Sequence, residues 1–390
     1  MSGHKPLEGI KVLEFARVLA GPWAGQLLAD LGADVIKVEN PVGGDETRHW
    51  GPPFIEDPHG ATHSAAYFHS CNRGKRSVAL DLKKTADLEV AKALCVKADV
   101  IIENFKVGTM ERLGLGFDSA KAVKPGIVFC SITGFGQTGP YKDRAGYDFI
   151  IQGMSGFMSI TGEKDGDPMK AGVAITDILT GLYAVSAINA ALIKALKFGT
   201  GSHIDISLLE VMSATLANQN MNFLATGMSP VRLGNAHPNI APYQVVPTSD
   251  GHIIIAAGND GQFQRLCALL EVEMLGKDPR FSTNPARIEN REALTGSLEK
   301  LTRLWTRDAL VKACTEKGVP VGPINTIGDM FADTQIEARV LQINTTNDIP
   351  GVRSPLFIDG KPASNLRSSP SLGQHTEEIV RQAPNGWPAQ

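Results

Sequence analysis

Asp177 is the residue in this 390-residue chain whose type and setting most clearly admit chemistry. It stands at the mouth of an apolar stretch, Ala171–Lys197, AGVAITDILTGLYAVSAINAALIKALK. A carboxylate placed between hydrophobic segments can act as a nucleophile towards an acyl group, provided water is kept away from the activated product. The same position also suits a plain helix N-cap, its oxygens bonded to the first free amides. Residues 71–76, CNRGKR, gather Arg73, Lys75 and Arg76 near Lys83. That cluster suits a phosphate-bearing ligand, or it is a solvated turn.

The elements that must position these residues follow from periodicity. Ile178, Leu182, Val185, Ile188, Leu192 and Leu196 recur at three- and four-residue steps, a buried helical face that Gly199 and Gly201 terminate. Upstream, short apolar strands (Gly9–Phe15, Ala33–Glu39, Ser77–Leu82, Asp99–Glu103, Ile127–Ile132) alternate with helices over Trp23–Leu31 and Thr85–Lys97. This predicts an α/β fold, a doubly wound Rossmann-like parallel sheet with helices on both faces. Downstream of a proline- and asparagine-rich connector, a hairpin at Val245–Thr248 and His252–Ala256 precedes helices near Gln262–Leu270, Ala286–Leu304 and Arg307–Lys317. The expected organisation is a large domain over 1–205, a helix and linker over 206–235, a small α+β domain over 236–318, and a return link with the end of the large domain over 319–390. Residues 319–325, VPVGPIN, read as that link.

Composition narrows the function classes. A formal charge of −3 argues against a nucleic-acid surface. Five scattered cysteines without a CxxC pair suggest neither zinc nor a disulfide framework, but free thiols in a reducing compartment. No GxGxxG follows the first strand and no Walker A sequence occurs, so a nicotinamide or nucleoside-triphosphate reading loses its defining glycines. The N-terminal MSGHKPLEGIKV is too polar for a secretory signal, and the apolar part of the Asp177 helix reads as too short for a membrane span. The expectation is a cytoplasmic protein, or a mitochondrial matrix protein in a eukaryote, with no metal and no tightly bound cofactor.

Several long segments then resemble one family. They are LEGIKVLEFARVLAGPWAGQLLADLGADVIKVENPVGGDETR, NRGKRSVALDLK, ADVIIENF, RAGYDFIIQGMSGFMSITG, KAGVAITDILTGLYA and LGQHT. In order, and over almost the whole chain, they resemble the family III CoA-transferases, the CaiB/BaiF group that includes formyl-CoA and carnitine CoA-transferases. The resemblance implies that Asp177 attacks an acyl-CoA thioester, forming a mixed anhydride and then an aspartyl-CoA thioester, with CoA as substrate. It also implies a homodimer of interlocked rings. The family's CoA contacts fall on Leu19, Ala20, Leu80, Lys83, Asn104, Phe105 and Arg112.

Departures from the family pattern bear on substrate. Leu19 stands where formyl-CoA transferase has Gln, Asn40 where it has Arg, and GNAHPNIAPY replaces its glycine-rich loop, all pointing away from formate or oxalate. The racemases of this fold carry a GHD motif, whereas this chain has Gly146-Tyr147-Asp148, and tyrosine is a poor base near neutrality. Segments WGPPF, CSITGFGQTGP and VPVGPIN are most similar to dicarboxylate-handling members such as the succinate–hydroxymethylglutarate CoA-transferases. That similarity implies succinyl-CoA as donor and a short dicarboxylic acid as acceptor. Arg48, Arg144 or His237 would hold the spare carboxylate, and Asp148 would assist or pair with Arg144. An acyl-CoA racemase or isomerase, and a CoA-ester binding protein without turnover, are the rival classes.

Overall fold

The structure is a computed structural model and describes residues 5–56 and 63–389. It resolves into two compact units, one of 1–157, 170–221 and 334–390, the other of 158–169 and 222–333. The second unit thus takes in a short segment ahead of the Asp177 helix and runs on past residue 318.

The first unit is built on six parallel strands: β1 (Lys11–Glu14), β2 (Asp34–Glu39), β3 (Arg76–Ala79), β4 (Val100–Glu103), β5 (Val128–Thr133) and β6 (Ser202–Ser207), in the order β3-β2-β1-β4-β5-β6. Register places Val12 beside both Val35 and Val100. Because helices cover both faces, successive strand residues are apolar on either side rather than alternating with polar ones. On one face Val12, Val35, Val100 and Val128 pack with Ala24 and Leu28 of α1 (Ala20–Asp30) and with Ala184 and Ile188. On the other, Leu13, Ile36, Val78, Ile101 and Phe129 meet Leu94 and Cys95 of α2 (Thr85–Lys97) and Ile379 near the C-terminus. Two further helices complete this part of the unit, α3 (Asp148–Met154) and α4 (Ile175–Phe198). Gly199, at φ +65°, ends α4 as the sequence predicts. With 24 residues, α4 is longer than its apolar core suggests and reaches membrane-spanning length and composition. One of its faces is taken up by the sheet and α1 instead.

The basic cluster expected around residues 73–76 turns inward. Lys75 and Lys37 both reach the Glu14 carboxylate, at 2.9 and 3.1 Å, and Lys37 also pairs with Asp45 at 2.9 Å. Burial alone would lower the Lys37 pKa, but Asp45 and Glu14 outweigh it and hold the ammonium above its usual range. Arg73 pairs with Asp30 and Arg76 with Asp34, each at 2.6 Å. Both guanidinium groups also bond carbonyls of the C-terminal segment, at Val352 and Asn365 for Arg73 and at Pro388 and Ala389 for Arg76. A buried cation without such partners would be prohibitively costly, so these three residues are structural; of the cluster, Lys83 borders the cavity beside Phe105, while Lys75 and Arg76 line a separate one with Arg367 and His375. Five buried free cysteines complete the picture.

The second unit has an antiparallel sheet of β7 (Tyr243–Pro247), β8 (His252–Ala256) and β9 (Val321–Pro323), with β8 central. The VPVGPIN segment is therefore a strand of this unit and not a free link. Ile253, Ile255, Phe263, Leu294 and Leu310 form its core. The helix expected over 286–304 is split into Asn284–Glu289 and Arg291–Thr302. Asn290 leaves helical geometry at φ −106°, ψ 26° and donates its side-chain amide to Ala286 O at 2.9 Å, the local competition that asparagine brings to helices.

Candidate active site

The strand order reverses between β1 and β4, and in open α/β sheets ligands bind outside the carboxyl ends of strands at such a switch point. The loops leaving these two strands clasp each other there. Asn104 accepts Arg17 N–H at 2.9 Å and donates to Arg17 O at 2.7 Å. Val18 is held at φ +69°, an unfavourable region for a β-branched residue. Both Asp45 oxygens accept its N–H at 3.2 Å, and Asp45 is the same carboxylate that pairs with Lys37. The buried ion cluster thereby fixes the entry to α1. Glu103 holds the neighbouring Phe105 by accepting its N–H at 2.8 Å.

Helix α4 brings Asp177 to this crevice through a glycine. A Cβ on Gly181 would lie 2.8 Å from Ala20 O and 3.0 Å from Trp23, so only glycine lets the head of α1 sit this close, one turn below Asp177. The loop on the opposite side is pinned in the same way. Gly134 and Gly146 cross so tightly that a Cβ on either would stand 2.5–2.6 Å from the other's Cα. Between them, residues 134–146 carry Lys142 and Arg144 to a cavity of about 200 Å³ whose walls include Arg17, Ala20, Tyr147, Asp148 and Asp177.

Asp177 is not the helix cap. The cap position belongs to Ala174, which has no side chain for the task, and Asp177 lies three residues further on. Asp148 caps the helix from outside: its Oδ1 accepts Thr176 N–H at 2.8 Å and its Oδ2 accepts Gln152 Nε2–H at 2.7 Å. The Asp148–Arg144 pair expected from sequence does not form. Arg144 lies over the rings of Tyr141 and Phe135 instead. Asp177 is 8 % exposed. Burial, reinforced by the Asp148 charge, pushes its carboxyl up to about 7. Tyr67, which sequence reasoning passed over, faces the same group: burial first, then the Asp177 charge, drives its phenol upward. Ile175 N–H bonds Val173 O and Thr176 N–H bonds Asp148, so two amides at the head of the helix are occupied and cannot stabilise an oxyanion.

A second cavity of about 290 Å³ adjoins the first, sharing Arg17 and Phe105 with it. Its walls are largely apolar (Phe15, Val38, Leu80, Leu113), with Lys83 and Asn40 at hand. Arg112 bonds Thr109 Oγ1 at 2.9 Å, next to that wall. Leu19 is buried just before α1, where its carbonyl accepts Trp23 N–H. Arg48 departs from expectation: buried, stacked on Phe68 at 3.7 Å and paired with Glu39 at 2.7 Å, it is a structural ion pair and no carboxylate receptor. His237 belongs to the second unit, where its Nδ1 accepts Asn239 N–H and its ring packs on Tyr243.

The raised Asp177 carboxyl has a consequence for stability. A folded-state value above the unfolded one means that ionisation disfavours the folded form, so this group's contribution falls as pH rises from about 4 through about 7. Asp177→Asn is expected to stabilise the fold by about 2–4 kcal/mol at pH 8, shrinking to little at pH 4. Chemical denaturation at the two pH values checks this, and an equal effect at both would contradict it.

Comparison with known proteins agrees with the geometry. The model of CoA-transferase family III matches residues 7–376. Succinate–glutarate CoA-transferase of Agrobacterium fabrum is 55% identical over 381 residues, covering 97% of this chain and 95% of that protein. Human succinyl-CoA:glutarate CoA-transferase is 42% identical over 395 residues, covering 98% and 87% respectively. A crystal structure of a CaiB/BaiF family protein from Brucella suis superposes with a TM-score of 0.88 at 54% identity, covering 98% of this chain and all of that one. The chain belongs to the family III CoA-transferases.

Proposed function

We propose that this CoA-transferase moves CoA from succinyl-CoA to a short dicarboxylic acid through covalent intermediates on Asp177. The observation that carries the reading is a buried carboxyl with a raised pKa, without a side-chain hydrogen bond among the described residues, at the switch point of the sheet. Such a carboxylate is poorly solvated and correspondingly nucleophilic. Its oxygen attacks the thioester carbonyl carbon, the C–S bond breaks, and CoA leaves as thiolate beside a mixed anhydride. The thiolate then attacks the Asp177 acyl carbon and releases the donor acid, leaving an aspartyl-CoA thioester. An acceptor carboxylate reverses both steps and departs as the new CoA ester.

The relatives support glutarate-like acceptors, because those named above act on succinate and glutarate. On this chain Arg144 is our choice for the acceptor's far carboxylate, since its guanidinium borders the Asp177 cavity, lies against aromatic rings and makes no ion pair among the described residues. Ala20, Asn104 and Phe105 border the thioester end of the path. Leu80 and Lys83, with Arg112 close by, border the second cavity, which suits a nucleotide: an apolar wall for the adenine and cations for its phosphates. Leu19 would act through the backbone beside Ala20, and Tyr147, 60% exposed, stands at the rim. Buried free thiols favour a reducing compartment, the cytoplasm or a mitochondrial matrix.

We also propose a homodimer, interlocked as the family resemblance implies; uncovered apolar residues support the association itself. On α4 Ile193, Leu196 and Phe198, and on α3 Phe149 and Ile150, remain uncovered within the chain, more apolar surface than a lone subunit usually leaves to water. Light scattering is expected to give twice the chain mass, and a monomer at micromolar concentration would contradict it.

Chemistry is tested by mixing enzyme with succinyl-CoA and hydroxylamine, then mapping the trapped residue by mass. An aspartyl hydroxamate at 177 is expected, absent from Asp177→Ala, whose CoA affinity stays within about a few fold. Deuterium exchange at the substrate α-carbon without any acceptor acid would favour a racemase instead. In the same assays Arg144→Gln is expected to raise KM for glutarate by about tenfold or more, with KM for succinyl-CoA changed far less. Equal effects on both substrates would remove Arg144 from the acceptor site.

A further inference from the structure

We propose that Asp148 is a positioning residue for acyl transfer: it anchors the head of α4 through Thr176 and sets a second negative charge beside Asp177, so that acylation of Asp177 relieves a repulsion between two carboxylates. The inference rests on Asp177 being the nucleophile, and extends that reading to a residue that touches no reacting atom.

The segment carrying the nucleophile is tied to α3 at two points. Thr176 N–H reaches Asp148 Oδ1 at 2.8 Å, and Ala171 N–H reaches Gln152 Oε1 at 2.8 Å. Gln152, four residues after Asp148 on the same helix face, also donates to Asp148 Oδ2 at 2.7 Å and so fixes the carboxylate's orientation. Gln152 is fully buried. A carboxylate near a helix head is ordinarily stabilised by the first amides and by the helix dipole. Here the Thr176 amide goes to Asp148, and Asp177 is left without it. The head of α4 therefore stabilises the wrong carboxylate for a resting anion at 177, and the right one for a reactive anion.

Other charges near Asp177 do not reproduce this arrangement. Helix α1 carries only Asp30, which is tied to Arg73. The helix at 66–69 brings Tyr67, whose phenol is driven upward, and His69, whose ring burial pushes down to about 4 and which bonds Ser64. Under α4, His203 of β6 bonds Ser131, and Asp205 accepts Gln137 N–H. Glu210 lies on the short helix Leu208–Ala214. The remaining cavity walls hold the Arg17–Glu46 ion pair, Lys106, Lys142, Asp143 and Arg144. Asp148 is the charged group that adds to burial in holding Asp177 up to about 7.

The bond changes explain why this helps. When the Asp177 oxygen bonds the thioester carbon, its negative charge leaves with the thiolate sulfur. When the thiolate then bonds the Asp177 carbon, the charge leaves with the donor acid. In both covalent states position 177 is neutral and faces the Asp148 carboxylate without repulsion. The free carboxylate is the state that Asp148 disfavours, which makes Asp177 both more basic and more readily acylated.

The test is acylation of the whole enzyme by succinyl-CoA without acceptor, trapped with hydroxylamine and followed against pH. In the wild type the rate is expected to rise with pH through a limb near 7. Asp148→Asn, which keeps an acceptor for Thr176 but drops the charge, is expected to move that limb down by about one unit or more and to lower the plateau several-fold. Asp148→Ala is expected to shift the limb alike and lose more of the plateau. A limb that stays in place in both variants, with only the amplitude reduced, overturns the proposal and leaves a purely structural cap. So does a wild-type profile flat between about pH 5 and 9, which needs no variant to fold. Asp177→Asn run alongside separates the two claims: if it still becomes acylated the nucleophile reading fails, whereas a silent Asp177→Asn with an unmoved limb defeats only the role of Asp148.

Discussion

On the proposed reading, holding one carboxylate nearly dry, with no side-chain hydrogen bond among the described residues to quiet it, is the demand that organises this molecule. An ionised group removed from water is destabilised, and proteins normally answer by pairing it or letting it take up a proton. Several buried carboxylates elsewhere are paired: Glu14 meets two lysines, Glu39 meets Arg48, and Asp30 and Asp34 each meet an arginine. Glu103 is instead pushed up to about 7 by burial, although it accepts a hydrogen bond from Phe105 N–H. At Asp177 the pairing is withheld. The cation that could have served, Arg144, lies over aromatic rings in the same cavity, and the nearest anion sharpens the discomfort. On the proposed role of Asp177, stability is given up at this point for reactivity, a common arrangement at functional sites.

The buried ion pairs serve that single position at a distance. Lys37 links Glu14 on β1 to Asp45, and Asp45 restrains Val18 in a strained conformation at the lip of the cavity. Arg73 and Arg76 bind the C-terminal segment to the edge of the same sheet. These pairs add little net stability over apolar packing, yet removing one partner would leave a naked buried charge. They make the architecture around the switch point specific. Glycine does the complementary work of bringing backbones close: Gly181 for α1 against α4, and the Gly134–Gly146 crossing for the loop that carries Arg144.

Much of this architecture is legible in local sequence pattern. Helix α2 runs from Thr85 to Lys97 as read, and α4 stops at Gly199, because terminators are written in neighbouring residues, whereas Leu182 and Leu196, expected on its buried face, are exposed. The parallel sheet was readable for the same reason. The fate of Arg73, Lys75 and Arg76 was not, since their partners Asp30, Glu14 and Asp34 lie 42 to 61 positions away, and only the folded chain brings them together. Tyr67 and Gln152 gave no local sign of lying near Asp177, the proposed nucleophile. One signal was available and overlooked: no Ser, Thr, Asp or Asn precedes Ile175, so the helix had to find its cap elsewhere, and Asp148 supplies it.

The most direct measurement of the central claim follows oxygen. Acceptor acid carrying ¹⁸O in its carboxylates is run for a single turnover with enzyme preloaded from succinyl-CoA, and Asp177 is then isolated as a peptide. Attack by the acceptor on an aspartyl thioester, followed by thiolate attack on the acceptor's carbon, leaves one acceptor oxygen on Asp177. The account predicts a peptide heavier by one ¹⁸O atom, with that label passing to succinate in the next turnover. Label confined to the new CoA ester and the unreacted acid, with Asp177 unlabelled, would contradict it.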